Sequence, residues 1–439
     1  MLKIVIFNYM THGIIYVQLF RIQKEGYPLQ AQPLKQVDNH LPKQKTAYRI
    51  LLIIGFVHLL NDSIQALVPA MFPILEQSMG LSFTQLGLIA FALNLTSSLI
   101  QPIVGTYTDK KPSPYALPIG LCFTFVGVLG IAFAPSFWFV VISVVFIGLG
   151  SATFHPEGSR VAYMAAGGRR GLAQSIYQVG GNAGQALAPL ITALILVPLG
   201  QFGSIWFTFV AALAIGLLVY IARWYSEQVT IYAMTRSTQK MKGTQPKINQ
   251  KKIVMAISLL IFLVFARSWF HAGMTNFYAF YVISQYDATI GQAQIYLFIF
   301  LAAGALGTFA GGPLADRYGK KNIIMLSMLG SAPLTLVLPH AGPTLAYPLV
   351  FIIGFIILSS FSVSVVYAQE LVPGRIGLVS GLIVGLAFGM GAIGSVALGI
   401  LADLIGLTNT IFITVTLPLI GILTFFLPSD RWIEENNTN

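Results

Sequence analysis

Charged residues are scarce in this sequence of 439 residues. Asp, Glu, Lys and Arg together make up 9% of the chain, whereas hydrophobic residues make up 56% and the mean hydropathy is +0.78. Because a soluble domain carries about 25% charged residues, this composition excludes a soluble enzyme and a disordered chain. Cysteine is also scarce, since Cys122 is the only one. A secreted disulfide scaffold and a cluster of thiolate metal ligands are therefore excluded as well.

The sequence also lacks the motifs of catalysis and nucleotide binding. It has no G-x-x-x-x-G-K-[ST] loop, no H-E-x-x-H zinc pair and no G-x-S-x-G nucleophile elbow. An ATP-driven pump needs a nucleotide-binding domain, and no hydrophilic block is long enough to form one. We therefore expect neither an enzyme nor an ATP-driven pump, and we expect no cofactor and no metal site.

Long apolar runs dominate the rest of the chain. A helix needs about 20 apolar residues to cross the hydrocarbon core of a membrane. Reading for such runs predicts twelve spans, at residues 50–75, 83–107, 115–134, 137–158, 171–196, 202–222, 253–283, 292–314, 322–341, 344–369, 376–402 and 408–428. The predicted fold class is an all-α polytopic membrane protein with twelve transmembrane helices.

Lysine and arginine occur on every second loop between these spans. Outside the spans and beyond residue 50 they fall at 110–111, 160–170, 223–252, 317–321, 375 and 431, and the intervening turns contain none. The positive-inside rule then predicts that both ends of the twelve-helix core are cytoplasmic. The net charge of +11 follows from this topology. We therefore expect a lipid bilayer as partner, with anionic headgroups attracted to the basic loops, and no nucleic acid.

The chain divides into two predicted halves. Residues 48–222 and 253–428 each hold six spans, residues 223–252 form a basic cytoplasmic linker, and residues 429–439 form a cytoplasmic tail. Residues 1–47 are an N-terminal extension of unknown role. The alternatives for it are a signal-like segment, an interfacial helix, or an extension without a role.

The loops after spans two and eight repeat one another. Gly105 and Asp109 recur as Gly312 and Asp316, 207 residues later. Parallel repeats of six helices are typical of one transporter architecture, in which the substrate site lies between the halves.

The motif G-x-x-x-D-R-x-G-K-K at 312–321 resembles the signature loop of the major facilitator superfamily. Within that superfamily, the chain resembles the fosmidomycin-resistance protein family through H-L-L-N-D at 58–62, F-H-P-E-G-S-R at 154–160 and Q-E-L-V-P-G-R at 369–375. The resemblance covers approximately residues 48–428. It implies the major facilitator fold and proton-driven export of small molecules, including the phosphonate antibiotic fosmidomycin, across the bacterial plasma (inner) membrane.

Seven ionisable residues are predicted inside the bilayer, where an unpaired charge costs several kcal/mol, so each is a functional candidate. They lie only on spans one, four, seven and ten, which the resemblance places around the central cavity. The residues are His58, Asp62, His155, Glu157, Arg267, His271 and Glu370.

Asp62 is the strongest candidate for proton coupling. It is predicted near the bilayer midplane, with His58 one turn away on the same helix face and Asn61 beside it. A carboxylate in a low-dielectric cavity can gain and lose a proton near neutrality. The alternative is that Asp62 fixes the fold by pairing with Arg267 or a histidine.

Arg267 is the one lysine or arginine predicted inside the membrane, and His271 follows it at i+4. A guanidinium group can hold a phosphonate or carboxylate through two hydrogen bonds. We therefore expect Arg267 to meet an anionic substrate group. The alternative is a permanent ion pair with Asp62.

The acidic residues nearer the cytoplasmic side suit gating. Glu157 and Arg160 have the spacing of an ion pair, Pro156 predicts a kink or an end in span four, and Glu370 with Arg375 occupies a corresponding position after span ten. For these residues gating, proton transfer and a static role stay open, and for His155 a relay or a packing role.

The signature loops are expected to change contacts when the halves move. Asp316 is predicted to make charge-assisted contacts with its basic neighbours. The residues assigned to conformational gating are Gly105, Asp109, Arg160, Gly312, Asp316, Arg317, Gly319, Lys320 and Arg375.

The predicted function is a proton-coupled secondary transporter that exports small polar or anionic compounds by alternating access. A proton-coupled importer of a small metabolite would use the same residues. A receptor or scaffold that transports nothing is a third class.

Overall fold

The computed structural model describes residues 4–11, 14–21, 46–167, 170–235, 250–372 and 376–438. Ile4–Thr11 and Ile14–Arg21 form an antiparallel strand pair in which Ile4 faces Arg21 and Thr11 faces Ile14. This segment is therefore extended rather than the interfacial helix considered above. The rest of the described chain is helical.

The first half contains six spans. Their bounds are Tyr48–Ala70 continued by Phe72–Met79, Phe83–Lys110, Ala116–Ala132, Phe137–Ala165, Arg170–Ile191 continued by Thr192–Leu196 and Val197–Leu199, and Trp206–Thr235 preceded by the 3-10 turn Gln201–Ile205. Span four continues through Pro156 to Ala165, so the helix does not end there, which was one of the two alternatives predicted for this position.

The second half also contains six spans, followed by a short terminal helix. Their bounds are Gln250–Asn276 continued by Tyr278–Tyr286, Ile290–Tyr318, Lys320–Met325 continued by Leu326–Gly330, Ala332–Val337 and Leu338–His340, Pro343–Leu358 continued by Ser360–Leu371, Ile376–Ile405, and Leu407–Thr416 continued by Leu417–Phe426. The terminal helix is Asp430–Thr438.

The span count agrees with the sequence. Within the described residues, eleven helices are long and apolar enough to cross a membrane, and Ala116–Ala132 is a shorter apolar helix at the predicted third position. The predicted linker is shorter than expected, because span six continues to Thr235 and span seven begins at Gln250. Buried Tyr225 gives the reason for the longer span six, since this part of the helix packs into the core of the first half.

The two halves begin their second helix in the same way. Ser82 and Gln85 form a capping box at the start of span two, and Thr289 and Gln292 form the same box at the start of span eight. In each box the side-chain oxygen of the first residue accepts from the backbone N–H of the second, and the glutamine oxygen accepts in return. The two boxes are 207 residues apart, which is the spacing of the signature loops.

We call the end of the bundle that carries residues 110–111 and 317–321 the basic end, and the other the opposite end. At the opposite end the halves are in close contact. The backbone of Gly87 lies against the carbonyl of Ser395, and Gly399 lies against the carbonyl of Phe83, so a Cβ atom at either glycine would clash. The ring of Phe83 also meets Phe280, with centroids 5.2 Å apart.

Two polar contacts reinforce this junction. Asp403, at the end of span eleven, accepts hydrogen bonds from the backbone N–H groups of Phe83 at 3.0 Å and Thr84 at 2.7 Å. Gln294 of span eight donates to the backbone carbonyl of Ala70 at 3.0 Å. A carboxylate of the second half thus caps the first turn of a helix of the first half.

Candidate functional site

The side chain of Asp62 lies in the middle of span one and is 4% exposed. Three amide groups donate to its carboxylate: Asn61 at 3.0 Å and Gln65 at 3.4 Å to Oδ1, and Gln185 of span five at 3.0 Å to Oδ2. Buried carboxylates persist when such donors replace water. The predicted candidate is therefore built into a polar site within an apolar helix pair.

Two histidines complete this site. His58 Nε2 lies 3.5 Å and His155 Nε2 lies 3.9 Å from Asp62 Oδ1. His155 is on span four, and its side chain is 22% exposed, so it connects the carboxylate to a more accessible region. The structure brings together His58, Asn61, Asp62 and His155, of which the sequence placed His58 and Asp62 on one helix face.

The orientation of His58 determines how a proton is held. Its Nδ1 atom lies 2.7 Å from the backbone carbonyl oxygen of Tyr177. Because a carbonyl only accepts, Nδ1 must carry the hydrogen. In a neutral His58 the Nε2 lone pair then faces the carboxylate of Asp62, so two acceptors face one another. One additional proton, on either group, turns this contact into a hydrogen bond.

We considered whether the same atoms fit a metal ion. The ligand atoms of His58, Asp62 and His155 lie within 4.8 Å of one another. However, Asn61, Gln65 and Gln185 already donate to the carboxylate. These donors use lone pairs of the carboxylate that a metal ion would need, so the arrangement fits a hydrogen-bonded acid better than a metal ligand.

Glycines allow span five to approach the site closely. Gly180 lies against the carbonyl of Gly55 and Gly184 against that of Leu59. A Cβ atom on Gly181 would lie 2.6 Å from Nε2 of His58 and 2.9 Å from Oδ2 of Asp62. Small residues at helix–helix contacts permit this separation in membranes.

Span five also carries a polar stripe. Gln174, Gln178, Asn182 and Gln185 follow one another at intervals of three or four residues, which places them on one helix face. The first two are exposed and the last two are half-buried. The stripe therefore leads from the basic end of the bundle to the carboxylate of Asp62.

Arg267 forms a second polar site, on span seven. It is 4% exposed, and its Nη1 atom donates to Ser360 at 3.0 Å and to Ser364 at 3.5 Å, both on span ten. The guanidinium carbon also lies 5.3 Å from the ring centre of Phe361. These partners are neutral, so the ion pair with Asp62 that we considered as an alternative is not formed in this conformation.

His271 lies one turn beyond Arg267 and is half-buried, with its ring centroid 5.9 Å from that of Phe300. The structure does not bring these two residues into the cluster around Asp62. The buried guanidinium of Arg267 thus lies on the second half, and the buried carboxylate of Asp62 on the first.

Glu157 belongs to a separate network in the first half. It is fully buried, its Oε1 atom lies 3.2 Å from Nη1 of Arg160, and its Oε2 atom accepts from the hydroxyl of Tyr225 at 2.9 Å. Arg160 also donates to the backbone carbonyl of Thr108 at 2.6 Å. The network ties span four to spans two and six near the basic end.

Glu370 forms a comparable contact in the second half. Its Oε1 atom lies 3.0 Å from Nζ of Lys320 in the signature loop. Its expected neighbour Arg375 lies outside the described residues.

Asp430, rather than Asp316, holds the loop backbone. It accepts from the N–H of Lys320 at 3.1 Å and of Lys321 at 3.3 Å, whereas Asp316 and Arg317 are exposed. Of the contacts expected between Asp316 and its basic neighbours, the described part of the chain shows an electrostatic interaction with Lys320.

The glycines of the loops have different surroundings. Gly319 has a φ of +92°, which favours glycine, and Gly312 has open space around it. A Cβ atom on Gly105 would lie 3.6 Å from the Cβ atom of Pro156, an ordinary contact distance. The side chain of Asp109 is outside the described residues.

The comparisons with known proteins agree with this geometry. The sequence profile of the Major Facilitator Superfamily matches residues 51–389 of this chain. The chain belongs to the Major Facilitator Superfamily. It is therefore a multi-pass membrane transporter and not an enzyme, and its substrate is a small molecule.

This transporter is similar to two bacterial proteins over nearly all of their length. It is 61% identical to an uncharacterized MFS-type transporter, YfnC, from Bacillus subtilis (strain 168), over 92% of this chain and 98% of the relative. It is 46% identical to the fosmidomycin resistance protein of Escherichia coli (strain K12), again over 92% and 98%. The resemblance identified from the sequence is thus confirmed.

Solved structures confirm the fold of the transporter. A bacterial homolog of the human lysosomal transporter Spinster, in an inward-facing and unoccupied conformation, matches with a TM-score of 0.66 at 14% identity, covering 90% of this chain and 98% of that one. The nucleoside transporter NupG matches with a TM-score of 0.67 at 14% identity, covering 89% and 99%.

Sequence reasoning missed several polar residues of the transporter. Four of them contact a predicted site residue, and Asp403 joins the halves. Gln185 and the serines of span ten stand out in the sequence as polar residues within apolar runs. The sequence does not show which residues they contact. The residues are Gln185, Tyr225, Ser360, Asp403 and Asp430.

Proposed function

We propose that this transporter is a proton-coupled exporter of small polar or anionic compounds that works by alternating access. The observation that carries the proposal is the buried carboxylate of Asp62, which faces the Nε2 atoms of His58 and His155. The 46% identity to the fosmidomycin resistance protein supports export and makes fosmidomycin the first substrate to test. We place the protein in the bacterial plasma membrane with its basic end in the cytoplasm.

Proton coupling follows from the chemistry of this cluster. With His58 Nδ1 donating to the Tyr177 carbonyl, the pair of His58 and Asp62 is best satisfied when it holds one proton. The polar stripe on span five provides a route by which water can deliver that proton. Loss of the proton leaves a buried carboxylate next to a lone pair, and that unfavourable state favours a change of conformation.

Substrate binding is assigned to Arg267. Its guanidinium group is buried with hydroxyl groups as hydrogen-bond partners, and no acid of the described residues pairs with it in this conformation. A phosphonate or carboxylate would supply the missing negative charge and accept two hydrogen bonds. The aromatic ring of Phe361 supports one face of the guanidinium.

The close contacts at the opposite end support an inward-facing state. Gly87 and Gly399 bring the backbones of spans two and eleven together there, and Asp403 caps span two. At the basic end, the pairs of Glu157 with Arg160 and of Glu370 with Lys320 each join groups of one half. We propose that these pairs rearrange when the basic end closes.

The test is transport by purified protein in liposomes. Counterflow of labelled fosmidomycin should show carrier activity without a pH gradient, and an imposed gradient should drive accumulation into the more acidic compartment, as expected for exchange with protons. Asp62→Asn should keep counterflow and lose gradient-driven transport, while the control Asp287→Asn, in an exposed turn, should behave as wild type. Accumulation away from the acidic compartment would indicate an importer.

Arg267→Lys tests the substrate site. It keeps the positive charge but loses the planar fork of donors. We expect an increase of about 10-fold or more in the KM for fosmidomycin, because a hydrogen bond to a charged group contributes about 1.5–3 kcal/mol. An unchanged KM together with an unchanged maximal rate would refute the role of Arg267 in binding an anionic group.

A further inference from the structure

Gln185 connects the two halves of the transporter to the proton site. Its Nε2 atom donates to Oδ2 of Asp62 at 3.0 Å, although the two residues are on different spans. The next residue, Ala186, is buried in an apolar cluster that otherwise consists of residues of the second half, including Phe270 and Phe277. One turn of span five thus contacts both the carboxylate and the facing half.

The packing of span five makes this connection rigid. Gly180 and Gly184 place its backbone directly against the backbone of span one, and the space beside Gly181 is filled by His58 and Asp62. Interfaces packed this closely respond to a local change by moving as units rather than by gradual deformation. A change at Asp62 is therefore transmitted to Ala186.

The amide of Gln185 is suited to respond to the protonation of Asp62. An amide has both a donor and an acceptor. The NH₂ group donates to the carboxylate, and after protonation the amide oxygen can accept from the new hydroxyl once the amide has rotated by a half turn. The other titratable groups that face the carboxylate are His58 of span one, His155 of span four and Tyr177 of span five.

We propose that Gln185 is a positioning residue that passes the protonation state of Asp62, through span five, to the interface between the halves. This inference rests on the proposed proton coupling. It assigns to Gln185 no contact with the substrate. Its effect is confined to the link between proton binding and the movement of the halves.

The experiment compares Gln185→Leu with Ser175→Leu, a polar-to-leucine change at an exposed position of the same helix outside the polar stripe. Spin labels on Gln77 and Ser284, exposed positions of the first and second half at the opposite end, report its opening in a Cys122→Ser background. In the wild type and in Ser175→Leu we expect the label distance to change with pH. In Gln185→Leu we expect retained counterflow, gradient-driven transport reduced at least 10-fold, and a label distance that no longer depends on pH.

Gln185→Glu keeps the size of the side chain. This variant tests the role of Gln185 if Gln185→Leu does not fold. A second carboxylate beside Asp62 favours a shared proton. We expect the pH of half-maximal transport to rise by about one unit or more, since a single hydrogen bond to a charged group corresponds to that shift.

Two outcomes overturn the inference in different ways. Wild-type pH dependence of both transport and label distance in Gln185→Leu, or in Gln185→Glu where the former does not fold, would refute the role of Gln185 and leave the proposed function intact. A wild-type protein without any gradient-driven transport would refute proton coupling and this inference together.

Discussion

Removal of the carboxylate of Asp403 should open the opposite end of the transporter. Asp403 is the acid of the second half that caps span two of the first, through the N–H groups of Phe83 and Thr84. The hydroxyl of Ser82 cannot replace it there, because it already accepts from the N–H of Gln85. Asp403→Ala therefore removes a direct link between the halves and leaves both helices otherwise intact.

The magnitude follows from the number of bonds and their exposure. A hydrogen bond to a charged group contributes about 1.5–3 kcal/mol when buried, but Asp403 is exposed, and solvent screening reduces each bond to about 1 kcal/mol. The two bonds, which include the interaction with the helix N-terminus, together stabilise the closed end by about 2 kcal/mol. Since 1.4 kcal/mol corresponds to a factor of ten, the ratio of open to closed molecules should rise about 30-fold.

The assay is the distance distribution between spin labels on Gln77 and Ser284. Asp403→Ala should increase the population with the longer distance, and Asp403→Asn should have a smaller effect because its amide oxygen still accepts one hydrogen bond. Asp287→Asn changes the charge at the same end outside the junction and serves as the control. Distributions that are identical in the wild type and in both Asp403 variants would refute the assigned role.

Two further predictions concern packing. Gly181→Ala should reduce gradient-driven transport more than 10-fold because its Cβ atom would displace His58 and Asp62. The control Gly216→Ala, at a position with open space around it, should transport as wild type. Equal transport rates for the two variants would contradict the packing argument. Tyr225→Phe removes a hydrogen bond from buried Glu157 and should lower the midpoint of thermal unfolding by about 2 °C for a loss of about 2 kcal/mol, because the entropy of unfolding grows with the length of the chain. Tyr115→Phe, at an exposed position, is the control for that measurement, and a midpoint equal to that of the control would show that the bond is not stabilising.

The fold was predictable because the bilayer imposes a strong pattern on the sequence. Twelve apolar runs and alternate basic loops predicted the helices that the structure has, and the repeated loops predicted the two halves. The boundaries beyond the membrane were less accurate, since span six continues to Thr235. Hydropathy does not indicate that Tyr225, at the polar end of that span, packs inward against Glu157.

The candidate site was predictable only where its residues share a helix or have an unusual charge. His58 and Asp62 are one turn apart, so their proximity follows from helix geometry. The partners of Arg267 and the cap by Asp403 depend on how distant spans pack, and no local pattern specifies such contacts. The prediction for Asp316 was incomplete for the same reason, because the acid that binds the loop backbone, Asp430, comes from the far end of the chain.

The two halves bury opposite charges on their first spans. His58 and Asp62 of span one are followed 209 residues later by Arg267 and His271 of span seven, at the same i, i+4 spacing. The first half therefore buries a group that becomes negative when it loses a proton, and the second half buries a permanent positive charge. Under the proposed function, an anionic substrate would neutralise the charge at Arg267 and a proton would neutralise the charge at Asp62. Charge alone then makes the two binding events favour one another, because a protonated Asp62 no longer repels an anion near Arg267. Exchange of the two therefore requires that the movement of the halves, rather than charge, separates substrate binding from proton binding.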